Sequence, residues 1–299
     1  GLDPDDDGAP DLLIGAPSPS GGGGPGQAFL VLDALHRGRT VGLSGGEEII
    51  AIDAGVAAPD RLGASVASAG DVDQDGFEDF LIGIPSSTEA PGGAVAVIFG
   101  RSHVPDKIHL STDLPAMGIL LRSQGDQEGL GSAVAGVGDV DGDGFPDIAL
   151  GAPTARKSGG AGERTGRVYL VRGGPAIQAL KGQGTGRIDL TALPAGVLVI
   201  IDGPAEGSLF GTSLAGGADL DGDGRMDFGA GAPGLPPGGS VFVLFGQQGF
   251  GAVDLSSPDG TAAVRISTDA PEALMGVSLA AGRDVTGDGK ADLLIGAPG

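Results

Sequence analysis

Five segments of this 299-residue chain repeat one arrangement of carboxylates. Acidic side chains stand at positions 1, 3, 5 and 9 of a nine-residue stretch, with glycine at position 6. The sets are Asp3, Asp5, Asp7, Gly8 and Asp11; Asp71, Asp73, Asp75, Gly76 and Asp79; Asp139, Asp141, Asp143, Gly144 and Asp147; and Asp219, Asp221, Asp223, Gly224 and Asp227. The fifth set is Asp284, Thr286, Asp288, Gly289 and Asp292, in which threonine stands at position 3. Hard oxygen donors crowded this way suit Ca²⁺, which takes six to eight oxygen ligands at about 2.3–2.6 Å. Carboxylates at alternate positions reach one ion only if the chain turns sharply. Glycine at position 6 permits that turn because it accepts backbone angles that a Cβ forbids. The carbonyl of position 7 (Ala9, Phe77, Phe145, Arg225 or Lys290) would add one more oxygen.

An EF-hand would need a glutamate at position 12. Here position 12 is Ile14, Ile82, Leu150, Ala230 or Ile295, so that motif is excluded. The plainer alternative is an Asp/Gly-rich surface turn that holds no metal. Five copies in one register weigh against it, because carboxylates packed together repel unless a cation lies between them.

The elements that must position these loops repeat with them. The loops begin at residues 3, 71, 139, 219 and 284. Small apolar stretches precede four of them, at 63–70, 131–138, 211–218 and 276–283. A second stretch follows each loop, at 11–17, 79–85, 147–153, 227–233 and 292–298. A third comes after a Gly/Pro-rich gap (28–32, 94–99, 167–171, 240–245) and a fourth later still (48–52, 118–122, 197–201, 262–266). These runs have strand length. One repeat therefore reads as strand A, acidic loop, strand B, glycine-rich loop, strand C, longer connection, strand D. Short antiparallel strands repeated at a fixed period predict an all-β chain, a β-propeller of four-stranded blades. Strand A, built from Gly, Ala, Ser and Val, suits the crowded axis.

Composition agrees. Glycine is 61 of 299 residues and aromatics are 4%, yet 40% of residues are hydrophobic, in short blocks. The net charge of −22 argues against nucleic acid, which needs a basic footprint. The proposed ligand positions hold 19 of the 39 acidic side chains. No apolar run is long enough to span a membrane. The chain has no cysteine to report on its redox compartment.

These motifs resemble the FG-GAP repeat of the integrin α-subunit propeller and of bacterial secreted proteins. The "FG" position reads Leu62-Gly63, Leu130-Gly131, Phe210-Gly211 and Met275-Gly276. The "GAP" position reads Gly15-Ala16-Pro17, Gly83-Ile84-Pro85, Gly151-Ala152-Pro153, Gly231-Ala232-Pro233 and Gly296-Ala297-Pro298. The resemblance implies a propeller, usually of seven blades, with Ca²⁺ in the A–B loops. The expected layout is one propeller unit over 1–299, a partial ring of four to five blades: a partial blade 1–62, blades 63–130, 131–210 and 211–275, and a partial blade 276–299. Further blades of the same chain are then expected as its neighbours. Of the five calcium sites, 284–292 is expected to be weakest for want of a carboxylate. The site at 3–11 lacks a strand A before it, so Asp3 and Asp5 are expected to be poorly held.

Strands alternate in direction, so the A–B loops lie on one face and the B–C loops and D–A connections on the other. The resemblance places a protein or glycan ligand on the B–C/D–A face. The longest B–C loop, 154–166, carries Arg156, Lys157 and Arg164, with Arg167 adjoining. It reads either as a contact surface or as a solvated Gly-rich connection. Catalysis finds no constellation: His36, His103 and His109 fall in C–D connections with no evident Ser or Asp partner, and Tyr169 reads as packing. The function expected is a non-catalytic, secreted or cell-surface binding and adhesion module braced by Ca²⁺, a role suited to millimolar extracellular calcium. The alternative is the propeller domain of a secreted hydrolase or lyase whose catalytic residues lie elsewhere.

Overall fold

The computed structural model describes residues 2–17, 25–32, 42–43, 49–55, 61–87, 90–159, 162–258 and 260–299. Among them the chain forms five successive sheets. The first begins with β1 (Leu12–Ala16), β2 (Gln27–Val31) and β3 (Ile49–Asp53). The second holds β4 (Ser65–Gly70), β5 (Asp79–Ile84) and β6 (Ala94–Ile98), followed by β7 (Lys107–His109), the helix α1 (Leu110–Met117) and β8 (Gly118–Arg122). The third holds β9 (Ala133–Gly138), β10 (Asp147–Ala152) and β11 (Arg167–Val171), then the short helix α2 (Pro175–Gln178), β12 (Arg187–Asp189) and β13 (Leu198–Asp202). The fourth holds β14 (Leu214–Ala218), β15 (Asp227–Ala232), β16 (Ser240–Leu244) and β17 (Ala263–Ser267), and the fifth β18 (Ser278–Ala281) and β19 (Leu293–Gly296). Within each sheet the A-to-D strands pair antiparallel in sequence order, as in β14-β15-β16-β17. The A strands β4, β9, β14 and β18 lie side by side along the axis. The architecture is a partial β-propeller.

The connections hold what the strand pattern does not show. β7, from the second blade's C–D connection, pairs parallel with β3 of the first blade, and β12 of the third blade pairs parallel with β8 of the second. Each adds a strapping strand to the outer edge of the blade before it, the fourth strand of the first sheet and the fifth of the second. An ion pair marks each strap. Asp53 of β3 meets His109 at 2.6 Å and Lys107 at 3.1 Å, while Arg122 of β8 meets Asp189 at 2.9 Å. His109 thus has a carboxylate partner that its place in the sequence did not reveal, although its role is to hold a blade edge. His103 is exposed, and His36 lies outside the described residues.

Middle strands are buried on both faces. Every residue of β5, β6, β10, β11, β15 and β16 is buried. Alternate side chains enter different inter-blade cores, as a period of two requires. Phe80 and Ile82 pack toward Leu30, Ile50 and Ile52 of the first blade. Leu81 packs with Ile148, Leu150 and Val171 of the third. Phe228 and Phe242 pack with Val168, Leu170 and Ile201 across the next joint.

The glycine motifs make the close approach between blades possible. A Cβ on Gly151 would stand 2.1 Å from the carbonyl oxygen of Gly211, and Gly211 itself has φ +87°. The same contact recurs between Gly15 and Gly63, Gly83 and Gly131, and Gly231 and Gly276. The residue before each of these second glycines stitches onto the preceding blade. Leu130 donates its N–H to Gly92, and Met275 donates to Gly238. Only a small or absent side chain lets two sheets meet this closely.

Candidate metal centres

The second, third and fourth A–B loops open on a β-bulge. The register shifts between Ser68 and Gly70, at Asp147 opposite Gly138, and between Gly216 and Ala218. Such a bulge re-aims the chain as it leaves the ladder. The loop then folds on its own carboxylates. In the 71–79 loop, Asp71 accepts hydrogen bonds from the backbone N–H groups of Asp75 (3.1 Å) and Gly76 (3.0 Å). Gly76 sits at φ +97°, the left-handed conformation that position 6 requires. The position-1 aspartates Asp3, Asp139, Asp219 and Asp284 accept the matching bonds in their loops.

The carboxylates that converge are those of positions 1, 3 and 9. Asp3, Asp5 and Asp11; Asp71, Asp73 and Asp79; Asp139, Asp141 and Asp147; and Asp219, Asp221 and Asp227 each bring ligand oxygens within 4.8 Å of one another. Position 5 stands outside these groups. Asp7, Asp75, Asp143, Asp223 and Asp288 instead accept the N–H of the position-7 residue, Ala9, Phe77, Phe145, Arg225 or Lys290, at 2.8–3.1 Å. The 3–11 loop is assembled despite lacking a strand A, held by the bridge between Leu2 and Asp11. Among the described residues the fifth loop forms no such triplet, since Thr286 replaces the carboxylate, although Asp284 and Asp292 keep their backbone hydrogen bonds.

The position-9 aspartates do more than face the loop. Asp79 Oδ2 accepts from Val72 N–H at 2.9 Å, and its Oδ1 accepts from Gly100 N–H, just beyond β6, at 2.9 Å. Asp147 does the same with Val140 and Gly173, and Asp227 with Leu220 and Gly246. The next amide crosses to the preceding blade. Arg101 donates to the Pro4 carbonyl (2.8 Å), Gly174 to Val72 (2.6 Å) and Gln247 to Val140 (2.9 Å). Hydrogen bonds therefore run from loop to loop, through each buried aspartate and each strand-C terminus, along one face.

Burial sets the charge state. It pushes the Asp79 carboxyl up to about 8 and that of Asp147 to about 7, with neighbouring carboxylates adding to the effect. Asp73, Asp141 and Asp227 are raised for the same first reason. A buried cluster of carboxylates lowers its free energy by taking up a cation or protons. The all-oxygen donor sets of the first four loops fit a hard divalent ion.

Basic residues partner the loops, Arg172 from the same blade and Lys181 and Lys290 from the following one. Arg172 Nε lies 2.7 Å from Asp141 Oδ2, and Lys290 Nζ reaches the Asp221 carbonyl. Lys181 Nζ contacts both Asp73 Oδ2 and, at 2.6 Å, Asp75 Oδ2. Nothing in the nine-residue spacing points to Arg172 and Lys181 as partners, which come from the connection after β11, about 30 and 110 residues away in sequence, while Lys290 is position 7 of the next acidic loop.

On the opposite face, B–C loops bond to D–A connections: Arg61 N–H donates to Ser86, Thr154 to Glu128 and Gly234 to Ser208. The arginines of the 154–166 loop are spent on internal contacts. Arg164 Nη1 binds the carbonyls of Thr154 (2.6 Å) and Gln127 (3.2 Å), and Arg156 Nη1 that of Gly162 (2.6 Å). Arg167 is buried between Asp202 (2.7 Å) and the Tyr169 hydroxyl (3.0 Å), which donates to Glu128 at 2.9 Å. Tyr169 is thus a member of a buried polar network as well as a packing residue, and burial pushes its hydroxyl up to about 12.

The FG-GAP repeat family matches residues 62–98, 130–171, 210–254 and 275–299. The chain is similar to mouse Integrin alpha-X, 33% identical over 175 residues, which covers 58% of this chain and 13% of that protein. It is 34% identical over 176 residues to Integrin alpha-5 of Xenopus laevis (56% of this chain, 14% of that protein). It is also 34% identical over 204 residues to the rat Phosphatidylinositol-glycan-specific phospholipase D (66% of this chain, 21% of that protein). The chain therefore spans between about an eighth and a fifth of the length of these curated relatives. Among the described residues no helix is long and apolar enough to cross a membrane. With its repeat matches falling on successive blades, and with buried Leu62, Leu130 and Phe210 and the paired glycines at the blade joints, the chain is an FG-GAP repeat protein.

Proposed function

We propose that the chain is a calcium-braced propeller unit, extracellular or at the cell surface, that binds a protein or glycan partner and performs no chemistry itself. One observation carries the calcium reading. Four loops bring the carboxylates of positions 1, 3 and 9 within 4.8 Å of one another, and at three of them the next blade's strand-C end donates to the loop. Ca²⁺ would supply the charge that those carboxylates lack, and the residues proposed to hold it are those of the nine-residue pattern, with the 284–292 loop weakest. The blade divisions at 62/63, 130/131, 210/211 and 275/276 belong to the same proposal, as do further blades of the same chain as neighbours.

Partner binding is assigned to the B–C/D–A face, with the similarity to integrin α subunits as its support. The similarity to a phospholipase D supports a second reading, in which such a propeller accompanies a catalytic domain of a secreted enzyme. The test is calorimetric titration of CaCl₂ into chelator-stripped protein, with thermal unfolding in parallel. Three to four strong sites and a rise in melting temperature support the calcium reading. Absence of binding heat and of stabilisation in millimolar CaCl₂ refutes it.

A further inference from the structure

The inference concerns the 71–79 loop and rests on the calcium reading above. Asp73 Oδ1 accepts the Asp75 N–H at 3.2 Å, which leaves Oδ2 as the oxygen free to ligate. Lys181 Nζ takes that oxygen, and it takes Asp75 Oδ2 at 2.6 Å as well. The ammonium also lies 4.5 Å from the centre of the Phe99 ring, so a cation–π contact holds it in place. Asp73 is 1% exposed and belongs to the converging triplet, which puts the ammonium inside the site rather than at its rim.

The 139–147 loop is partly alike, since Asp141 Oδ1 accepts the Asp143 N–H at 3.2 Å and Arg172 Nε lies 2.7 Å from its Oδ2, but among the described residues no cation there also takes the position-5 carboxylate. Arg172 contacts only Asp141 of its loop among carboxylates and spreads its remaining donors over the carbonyls of Gly196 and Phe250. Lys290 reaches a backbone carbonyl, which a metal-filled loop can still offer.

A divalent ion bound to Asp73 would stand within a few ångströms of this ammonium, and two cations that close repel strongly. We propose that Lys181 is an internal cation of the 71–79 loop that competes with Ca²⁺, so that this site holds its fold without metal and binds metal more weakly than the 219–227 loop, whose lysine contact is to a backbone carbonyl. Lys181 lies in the β11–β13 connection, so metal entry at the second blade releases a side-chain contact from the third. The Gly174–Val72 hydrogen bond and the β12–β8 pairing remain to hold the blades together.

The test compares the full chain with its Lys181→Met variant, both stripped with chelator. A loop available about a tenth of the time binds about tenfold more weakly. In the CaCl₂ titration, Lys181→Met should therefore bind the same number of ions, one of them about tenfold more tightly. In chelator it should melt below the unsubstituted protein, and in millimolar CaCl₂ that gap should close or reverse. An equal loss of melting temperature in both conditions, with unchanged affinities, makes Lys181 a plain structural contact and overturns the proposal. Absence of heat in both proteins refutes the calcium reading itself. A second measurement needs no variant. The chain has four lysines, so the side-chain ammonium signals can be assigned by NMR. The Lys181 ammonium should be protected from exchange in chelator and lose that protection on adding CaCl₂; protection that persists at saturating CaCl₂ overturns the proposal.

Discussion

At the scale of single residues, the position-9 aspartates carry the most consequence. Asp79 and Asp147 have carboxyls raised to about 8 and about 7, above an ordinary value of 3.8, because burial disfavours their charge. A carboxyl whose folded pKa is raised stabilises the fold while protonated, fully below its ordinary value, and loses that contribution as pH rises through the folded value. Metal-free protein should therefore lose stability between about pH 4 and pH 8. Saturating CaCl₂ should flatten that decline, since a bound cation replaces the protons. Denaturant unfolding at a series of pH values, in chelator and in CaCl₂, checks both. An Asp141→Asn change should remove one strong calcium site and leave the others titrating. An Asp288→Asn change should leave the number of strong sites unaltered.

At the scale of elements, the blades were readable and their fastenings were not. Short apolar blocks, strand length and the glycine motifs located strands A to D, because these strands are set by local pattern. The acidic loops were readable for the same reason: the position-6 glycine and the position-1 aspartate fold each loop on itself. The straps β7 and β12 were hidden inside the connections, since a three-residue parallel strand is defined by its neighbour. A signal was present all the same. Ile108-His109-Leu110, Ile188-Asp189-Leu190 and Val253-Asp254-Leu255 repeat one apolar–polar–leucine pattern, and all three leucines are buried. Arginine content left two readings open in the 154–166 loop, because composition reports charge but not whether a carbonyl or carboxylate has already taken it. Leu81 has no solvent exposure and packs across the second joint, so Leu81→Ala should cost about 2–5 kcal/mol in chemical denaturation. Arg122→Ala, at a half-exposed strap pair, should cost no more than about 1 kcal/mol.

At the scale of the whole molecule, calcium should act as a stabiliser of joints rather than of single blades. A site filled at one hundred times its dissociation constant adds about 2.7 kcal/mol. Hydrogen exchange should therefore slow most, on adding CaCl₂, at the amides of Gly100, Gly173 and Gly246 and at the crossing amides of Arg101, Gly174 and Gln247. Uniform slowing across β5, β10 and β15 alone would point to ions acting inside blades instead.

The hydrogen-bonded line from loop to loop also bears on how such a chain grows. Each joint takes its buried aspartate from one repeat and its crossing amide from the next, so no repeat contains a whole joint. A duplication cut at the sheet boundaries leaves the line intact only if the new copy arrives with both halves in phase: an acidic loop for the amide that follows, and a strand-C terminus for the loop that precedes. Copies gained or lost as complete periods meet that condition automatically. An insertion within the A–B loop breaks it, whereas one within the B–C loop or the C–D connection is absorbed, as the 80-residue spacing from the third loop to the fourth, lengthened in both, shows beside 68 for the two before it.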